Sequence, residues 1–175
     1  SADGKTATRT GDSKWITGEK ARDYVHRMRG AFDAVMVGAG TVIKDDPELT
    51  AHGKGKNPYR IIVDGRLSVP LNAKVLKNKD GKTFIVASEK APIDKIKKIH
   101  KTGSRAFVCC VEEIDMRKLV LGLSAMGIKR ILKEGGSELN ARALQAGIVD
   151  RLYLFIAPKI IGGRDAKPVI GGSGI

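Results

Sequence analysis

Apolar positions recur along this chain at two spacings. Ala21, Val25, Met28 and Phe32 fall four, three and four residues apart, one face of an α-helix, with Thr17 ahead of them as the expected N-cap. A short apolar run follows, DAVMVG at 33–38, and ends in glycine as a buried strand of a parallel sheet does. YRIIVD, TFIVAS, RAFVCCV, KRILKEGG and DRLYLFIAP repeat that grammar, and segments near 92–101, 115–126 and 137–146 read as helices between most of them. The alternation predicts an α/β fold with a mainly parallel sheet flanked by helices on both faces. Right-handed crossovers then put ligands at the carboxyl ends of the strands. RLSVPLNAKVL reads as a long connection, and there is no internal repeat or low-complexity tract.

Length and composition narrow the picture. A chain of 175 residues supports one core, so a single domain over 1–175 is expected. No apolar run approaches the roughly 20 residues of a membrane helix. The net charge of +13 is spread over the whole length, as in KNKDGK and DKIKKIHK, with little aromatic interleaving and no nucleic-acid module. It suits solubility and small phosphorylated ligands better than nucleic acid. The chain opens in a polar stretch, SADGKTATRTGD, and closes on PVIGGSGI just after a glycine turn. On that reading the domain lacks an N-terminal strand and C-terminal strands.

Cys109 and Cys110 are adjacent in AFVCCV, where a strand would send their side chains to opposite faces. They make no disulfide framework, and His26, His52 and His100 lie too far apart for a zinc spacing. The expectation is no metal, no membrane and a reducing, cytoplasmic setting.

Two glycine-rich strand ends could carry chemistry. In VGAGTVIKDDPELT, Gly38 and Gly40 leave a strand and Thr41 is placed to cap a short helical turn. In KEGGSELNARAL, the chain passes from a strand through Gly135 and Gly136 into a helix whose first amides could bind a phosphate. Neither run matches G-x-G-x-x-G or the P-loop, and glycines of this kind also serve as plain turns. Together they favour a dinucleotide cleft. Glu134 and Lys5 are placed at its rim, each equally readable as a surface charge, and Asp3-Gly4 as a β-turn. The lone tryptophan, Trp15 in GDSKWIT, lies on no amphipathic stripe, which leaves either a lid over the core or a pocket wall. No Ser-His-Asp order or catalytic carboxylate pair follows from spacing.

SADGKTAT, GDSKWITGEKAR, VGAGTVIKDDPELTAH, NPYRIIVDGRLSVPLNAKVL, ILKEGGSELN and IAPKIIGG, taken together and in this order, resemble the pyrimidine reductase family of riboflavin biosynthesis. The resemblance implies a dihydrofolate-reductase-like fold and a homodimer. It also implies NADPH-dependent reduction of the ribosylamino side chain of a pyrimidinone 5′-phosphate to the ribitylamino form, with NADH as the alternative cofactor. Hydride would pass from the nicotinamide to the former anomeric carbon, so the protein mainly positions two ligands and excludes water.

By the same resemblance Trp15, Thr41, Asp45, Gly135, Gly136 and Ser137 are cofactor residues; Gly65 and Arg66, just after YRIIVD, join them by position, Arg66 being assigned to the 2′-phosphate by analogy with arginines of other dinucleotide sites and equally readable as a turn arginine. Ser13, Arg29, Leu49, His52 and Glu134 are substrate residues, and Lys5 and Glu134 stand at the reacting end. Arg29 offers a planar fork to a phosphate. Histidine at 52, where the bifunctional branch often has arginine, and the NPYRIIVDGRLSVPLNAKVL stretch favour the 2,5-diamino substrate over the deaminated uracil. Lys133 stands where the family usually has an apolar residue. The zinc-deaminase signature is absent from the chain. A non-catalytic nucleotide-binding relative and a basic nucleic-acid-binding domain are the readings from other classes.

Overall fold

The computed structural model describes residues 1–174. In chain order the elements are β1 (Lys5–Ala7), α1 (Glu19–Ala31), β2 (Ala34–Gly38), α2 (Ala39–Asp45), β3 (Tyr59–Val63), β4 (Thr83–Ala87), α3 (Ile93–Lys101), β5 (Arg105–Val108), α4 (Met116–Ala125), β6 (Ile131–Lys133), α5 (Ser137–Gln145) and β7 (Lys167–Pro168). They fall into two compact units, His26–Gly135 and Ser1–Val25 together with the chain from Gly136 onward, with the boundary inside α1.

The larger unit is built on a five-stranded sheet in the order β5-β4-β3-β2-β6, with every neighbouring pair parallel. The sequence expectation of a mainly parallel α/β sheet flanked by helices holds. Val35, Val37, Ile62 and Ile85 are fully buried, which is why DAVMVG, YRIIVD and TFIVAS read as continuous apolar runs rather than alternating ones. Each such side chain contributes on the order of 1.5–3 kcal/mol of burial free energy. Arg60 is also fully buried. Its Nε donates to Thr83 Oγ1 at 2.9 Å and its Nη2 to Asp80 Oδ1, so this charge enters the core with its partners. Asp64 closes the turn after β3 by accepting from Ser68 N, Ser68 Oγ and Val69 N at 2.8–2.9 Å.

This strand order has one topological consequence for function. From β2 the chain moves outward through β3, β4 and β5, and then returns to place β6 on the other side of β2. The direction of winding therefore reverses between β2 and β6. In open α/β sheets the crevice beyond the carboxyl ends of the strands at that point is where ligands bind.

In the smaller unit β1 and β7 pair antiparallel, with Lys5 opposite Pro168. The turn expected with Asp3-Gly4 at its centre lies one residue earlier, closed by Gly4 N donating to Ser1 O at 3.4 Å. Gly4 is left-handed at φ 71°, and the Asp3 carboxylate accepts from Gly162 N at 2.7 Å and Ile161 N at 3.3 Å.

Four local expectations are corrected. The first helix begins at Glu19, and the Thr17 carbonyl accepts from Arg22 Nη1 at 2.9 Å instead of its hydroxyl capping the helix. Thr41 lies inside α2, whose N-cap is Gly38. DRLYLFIAP has the right residues for a strand, but it pairs with no other strand among the described residues, and a strand exists only as part of a ladder. Leu152, Leu154 and Ile156 consequently stand exposed. Finally, β5 stops at Val108, so the two cysteines leave the strand and their Sγ atoms converge to 3.6 Å rather than facing opposite ways.

Candidate functional site

At the switch point, β2 and β6 run in register up to Met36 opposite Lys133, and Glu134 N donates to Met36 O at 2.9 Å. Both chains turn immediately afterwards, one through Gly38 into α2 and the other through Gly135. Gly135 has φ 56°, and a Cβ built on it would lie 3.3 Å from both Cγ2 and Oγ1 of Thr41. Glycine is required here twice over, by backbone angle and by space. The two glycine-rich turns, far apart in sequence, are therefore adjacent in the structure.

Beside these turns stands a charged pair. Arg29, in the last turn of α1, donates from Nε to Glu134 Oε1 at 2.8 Å and from Nη2 to Glu134 Oε2 at 2.7 Å. Its Nη1 reaches Thr50 O at 3.2 Å. The side chains are only 12% and 19% exposed, so this bidentate bond is largely shielded from water and fixes the plane of the carboxylate. Two residues assigned to the substrate from sequence are thus bonded to each other.

The segment that carries Leu49 and His52 is strained. Asp46, Leu49 and His52 all have positive φ, three of the five such non-glycine residues among the described residues, and Trp15 is another. Left-handed backbone at non-glycine positions costs on the order of 1–3 kcal/mol each and gathers where surrounding structure dictates geometry for a ligand. Leu49 is buried and His52 is exposed. The segment is anchored by Ala51 N donating to Asn57 Oδ1 at 3.0 Å and by a close approach of backbones, since a Cβ on Gly30 would meet Lys54 O at 2.6 Å. The His52 ring packs on His26 of α1, with centroids 4.4 Å apart and planes tilted by 32°.

The remaining sequence candidates of this unit are more dispersed. Asp45 is the exposed last residue of α2. Gly65 follows β3, and its carbonyl accepts from Ser88 N at 2.9 Å and Ser88 Oγ at 2.8 Å, while Arg66 is exposed. Lys133 donates from Nζ to Gly135 O, and burial pulls its ammonium down to about 8.

In the smaller unit Trp15 is 68% exposed, which excludes a place in the core. Arg22 lies 4.4 Å above its ring, and Lys159 Nζ donates to its carbonyl at 2.7 Å. Trp15, Ala21 and Phe155 line a hollow of about 320 Å³. Ser13 is half-buried. Lys5 lies on β1, with Nζ 3.4 Å from Ala166 O. Gly136 is the N-cap of α5 and supplies no side-chain cap, and Ser137 is its first residue. That N-terminus suits a phosphate, although Glu138 in the same turn brings a negative charge of its own.

Sequence reasoning missed Asn57, Thr50, His26 and the fixed role of Gly30. Asn57 precedes a proline in a lysine- and glycine-rich stretch that reads as an ordinary loop, and Thr50 acts through its backbone carbonyl, which carries no residue signature. Gly30 lies at the end of a helix, where glycine is ordinary.

The family described as the RibD C-terminal domain matches residues 1–175. The chain is 42% identical over 177 residues to the 2,5-diamino-6-ribosylamino-4(3H)-pyrimidinone 5′-phosphate reductase of Methanothermobacter thermautotrophicus, covering 99% of this chain and 81% of that one. It is 41% identical to the riboflavin biosynthesis protein RibD of Actinobacillus pleuropneumoniae, again over 99% of this chain, and spans 47% of that relative's length. The solved structure of Acinetobacter baumannii RibD superposes with a TM-score of 0.78 at 28% identity, over 99% of this chain and 48% of that one. A pyrimidine reductase-like protein from Corynebacterium diphtheriae, at 24% identity, shares the fold with a TM-score of 0.80 over 99% of this chain and 77% of its own.

Proposed function

The chain belongs to the RibD C-terminal domain family, and from that premise we propose that it is a reductase of riboflavin biosynthesis. It converts the ribosylamino side chain of a pyrimidinone 5′-phosphate to the ribitylamino form at the expense of a nicotinamide cofactor. The observation that carries this reading is the adjacency of Thr41 and Gly135 at the switch point, with the Glu134 carboxylate beside them in a fixed plane.

The bound dinucleotide supplies the hydride. The chain's own residues do the rest. The Gly135 turn and Thr41 would let the cofactor approach the backbone closely, and Asp45, Gly65 and Arg66 are also assigned to it. NADPH is the proposed cofactor, with Arg66 taking the 2′-phosphate, because an exposed guanidinium can close on that group from solution. Gly136, Ser137 and Trp15 are assigned to the same ligand. Glu134 accepts a hydrogen from the substrate and keeps its orientation through Arg29. The exposed His52 and the outer edge of Arg29 take the ribose phosphate, with Leu49 and Ser13 shaping the substrate side. Lys5 is assigned to the reacting end. The protein lowers the barrier chiefly by holding two ligands in line, a contribution that can reach about 7–11 kcal/mol for well-oriented reactants.

The favoured substrate is 2,5-diamino-6-ribosylamino-4(3H)-pyrimidinone 5′-phosphate, the compound named for the Methanothermobacter relative. The deaminated 5-amino-6-(5-phosphoribosylamino)uracil is the second reading, supported by the similarity to RibD proteins. We place the protein in the cytoplasm and assign it a homodimer, in which a second copy covers the exposed Leu152, Leu154 and Ile156. No helix among the described residues is long and apolar enough to cross a membrane.

The test is cofactor oxidation by the purified protein with each pyrimidine phosphate and with NADPH or NADH. The expected result is oxidation that depends on the pyrimidine and yields one ribitylamino product per NADPH. Saturable NADPH binding with no turnover on either pyrimidine would select the non-catalytic relative. Steeply salt-dependent DNA or RNA binding without cofactor binding would select the nucleic-acid reading.

A further inference from the structure

Cys109 and Cys110 take no part in the proposed reaction. β5 ends at Val108, and the next two residues are held by backbone bonds alone: Cys109 N donates to Ala87 O at 3.0 Å, and Cys110 O accepts from Glu89 N at 2.9 Å. In this segment the two Sγ atoms lie 3.6 Å apart at an accessible edge, with both thiols free. A disulfide needs its sulfurs at about 2.05 Å and usually Cα atoms about 4.4–6.8 Å apart, against about 3.8 Å for neighbouring residues, so one formed here would be strained. Two sulfurs bonded to one trivalent pyramidal centre at about 2.3 Å each, at an angle of roughly 95–100°, stand about 3.4–3.5 Å apart, within a few tenths of an ångström of the observed 3.6 Å. The observed spacing matches the second arrangement.

The rest of the environment decides what that central atom can be. Among the described residues no group of three or more His, Cys, Asp and Glu could hold a metal ion, so zinc would lack half of its usual ligands here. A trivalent organoarsenical needs only two sulfurs. We propose that Cys109 and Cys110 form a vicinal dithiol site for trivalent organoarsenicals and chemically similar thiophilic centres. The step balances without redox change. An arsenoxide R–As=O condenses with two thiols, two S–H bonds and the As=O bond are lost, two As–S bonds form, one water leaves, and arsenic stays trivalent. Burial first, then the hydrogen bond to Cys110, raises the Cys109 thiol to about 11, so it stays protonated at neutral pH. That disfavours the thiolate attack that begins disulfide exchange. The inference does not depend on the reductase reading.

The experiment treats the reduced protein with stoichiometric phenylarsine oxide under anaerobic conditions and measures intact mass after washing with a monothiol or with dithiothreitol. One arsenical per chain is expected, retained on the order of a hundredfold longer against the monothiol than in Cys109→Ser or Cys110→Ser, because the second bond forms within the molecule. Dithiothreitol should remove it. The proposal is overturned if the monothiol strips the wild-type adduct as fast as it strips either variant. It is also overturned if no adduct forms, or if the two thiols are instead recovered as an intrachain disulfide. Cys109 is exposed and Cys110 half-buried, and far-UV circular dichroism checks that the serine variants fold. For the wild type alone, release by the monothiol as fast as by dithiothreitol also overturns the proposal.

Discussion

Replacing Arg29 by Met tests whether the bond to Glu134 is a positioning device or a decorative surface pair. The substitution keeps most of the stem's volume and removes both donors, at 2.8 and 2.7 Å, from a carboxylate whose side chain is 19% exposed. Stranding a fully buried carboxylate costs about 3–5 kcal/mol. The residual exposure brings the expected loss to about 2–3 kcal/mol, or roughly 4–12 °C in Tm for a chain of this length. The neighbouring Thr50 carbonyl also loses its donor, which adds a smaller increment. Denaturant unfolding of Arg29→Met, Glu134→Leu and the double variant gives the coupling directly. It should be about 2 kcal/mol, with the double variant regaining part of the loss because neither charge is left alone. A coupling under about 0.5 kcal/mol, as for exposed ion pairs, would refute the reasoning.

Two other substitutions test neighbouring features. Lys133 has a folded-state pKa of about 8 against an ordinary 10.5, so between those values the folded protein binds fewer protons than the unfolded chain and stability rises with pH. Below pH 8 the full penalty applies. Lys133→Met should remove it, raising stability at neutral pH by about 1–3 kcal/mol, less about 1 for the lost bond to Gly135 O, and flattening the dependence between pH 8 and 10.5; unfolding free energy measured across that range checks both. Gly30→Ala should destabilise by about 1–3 kcal/mol, because its Cβ would sit 2.6 Å from a backbone carbonyl that cannot swing away. An unchanged Tm would show that the helix and the 51–57 segment are not held in contact.

Much of the fold was legible because buried parallel strands write themselves as uninterrupted apolar runs. Ala34–Gly38, Tyr59–Val63 and Thr83–Ala87 fall within a residue of their expected bounds for that reason. DRLYLFIAP misled because local residue preference is necessary for a strand but pairing is what makes one. The cysteines misled because the expectation of opposite faces assumed that β5 continued past Val108. Within the site, the glycines at 38, 135 and 136 were readable from their place at strand ends. Contacts made by backbone carbonyls, such as Thr50 O with Arg29, carry no residue signature and had to be seen. The bond between Arg29 and Glu134 joins residues 105 apart, and only the register of β2 with β6 brings them together.

The central claim is that the turns at Thr41 and Gly135 form one cradle for a nicotinamide dinucleotide. Titration with NADPH, followed by nicotinamide fluorescence, measures this most directly when the wild type is set against Gly135→Ala. Saturable binding by the wild type and at least a tenfold weaker affinity in the variant, about 1.4 kcal/mol or more, is the expected result, with the circular dichroism of the two unchanged. Equal affinity in the two proteins, or no saturable binding by a folded wild type, would contradict it.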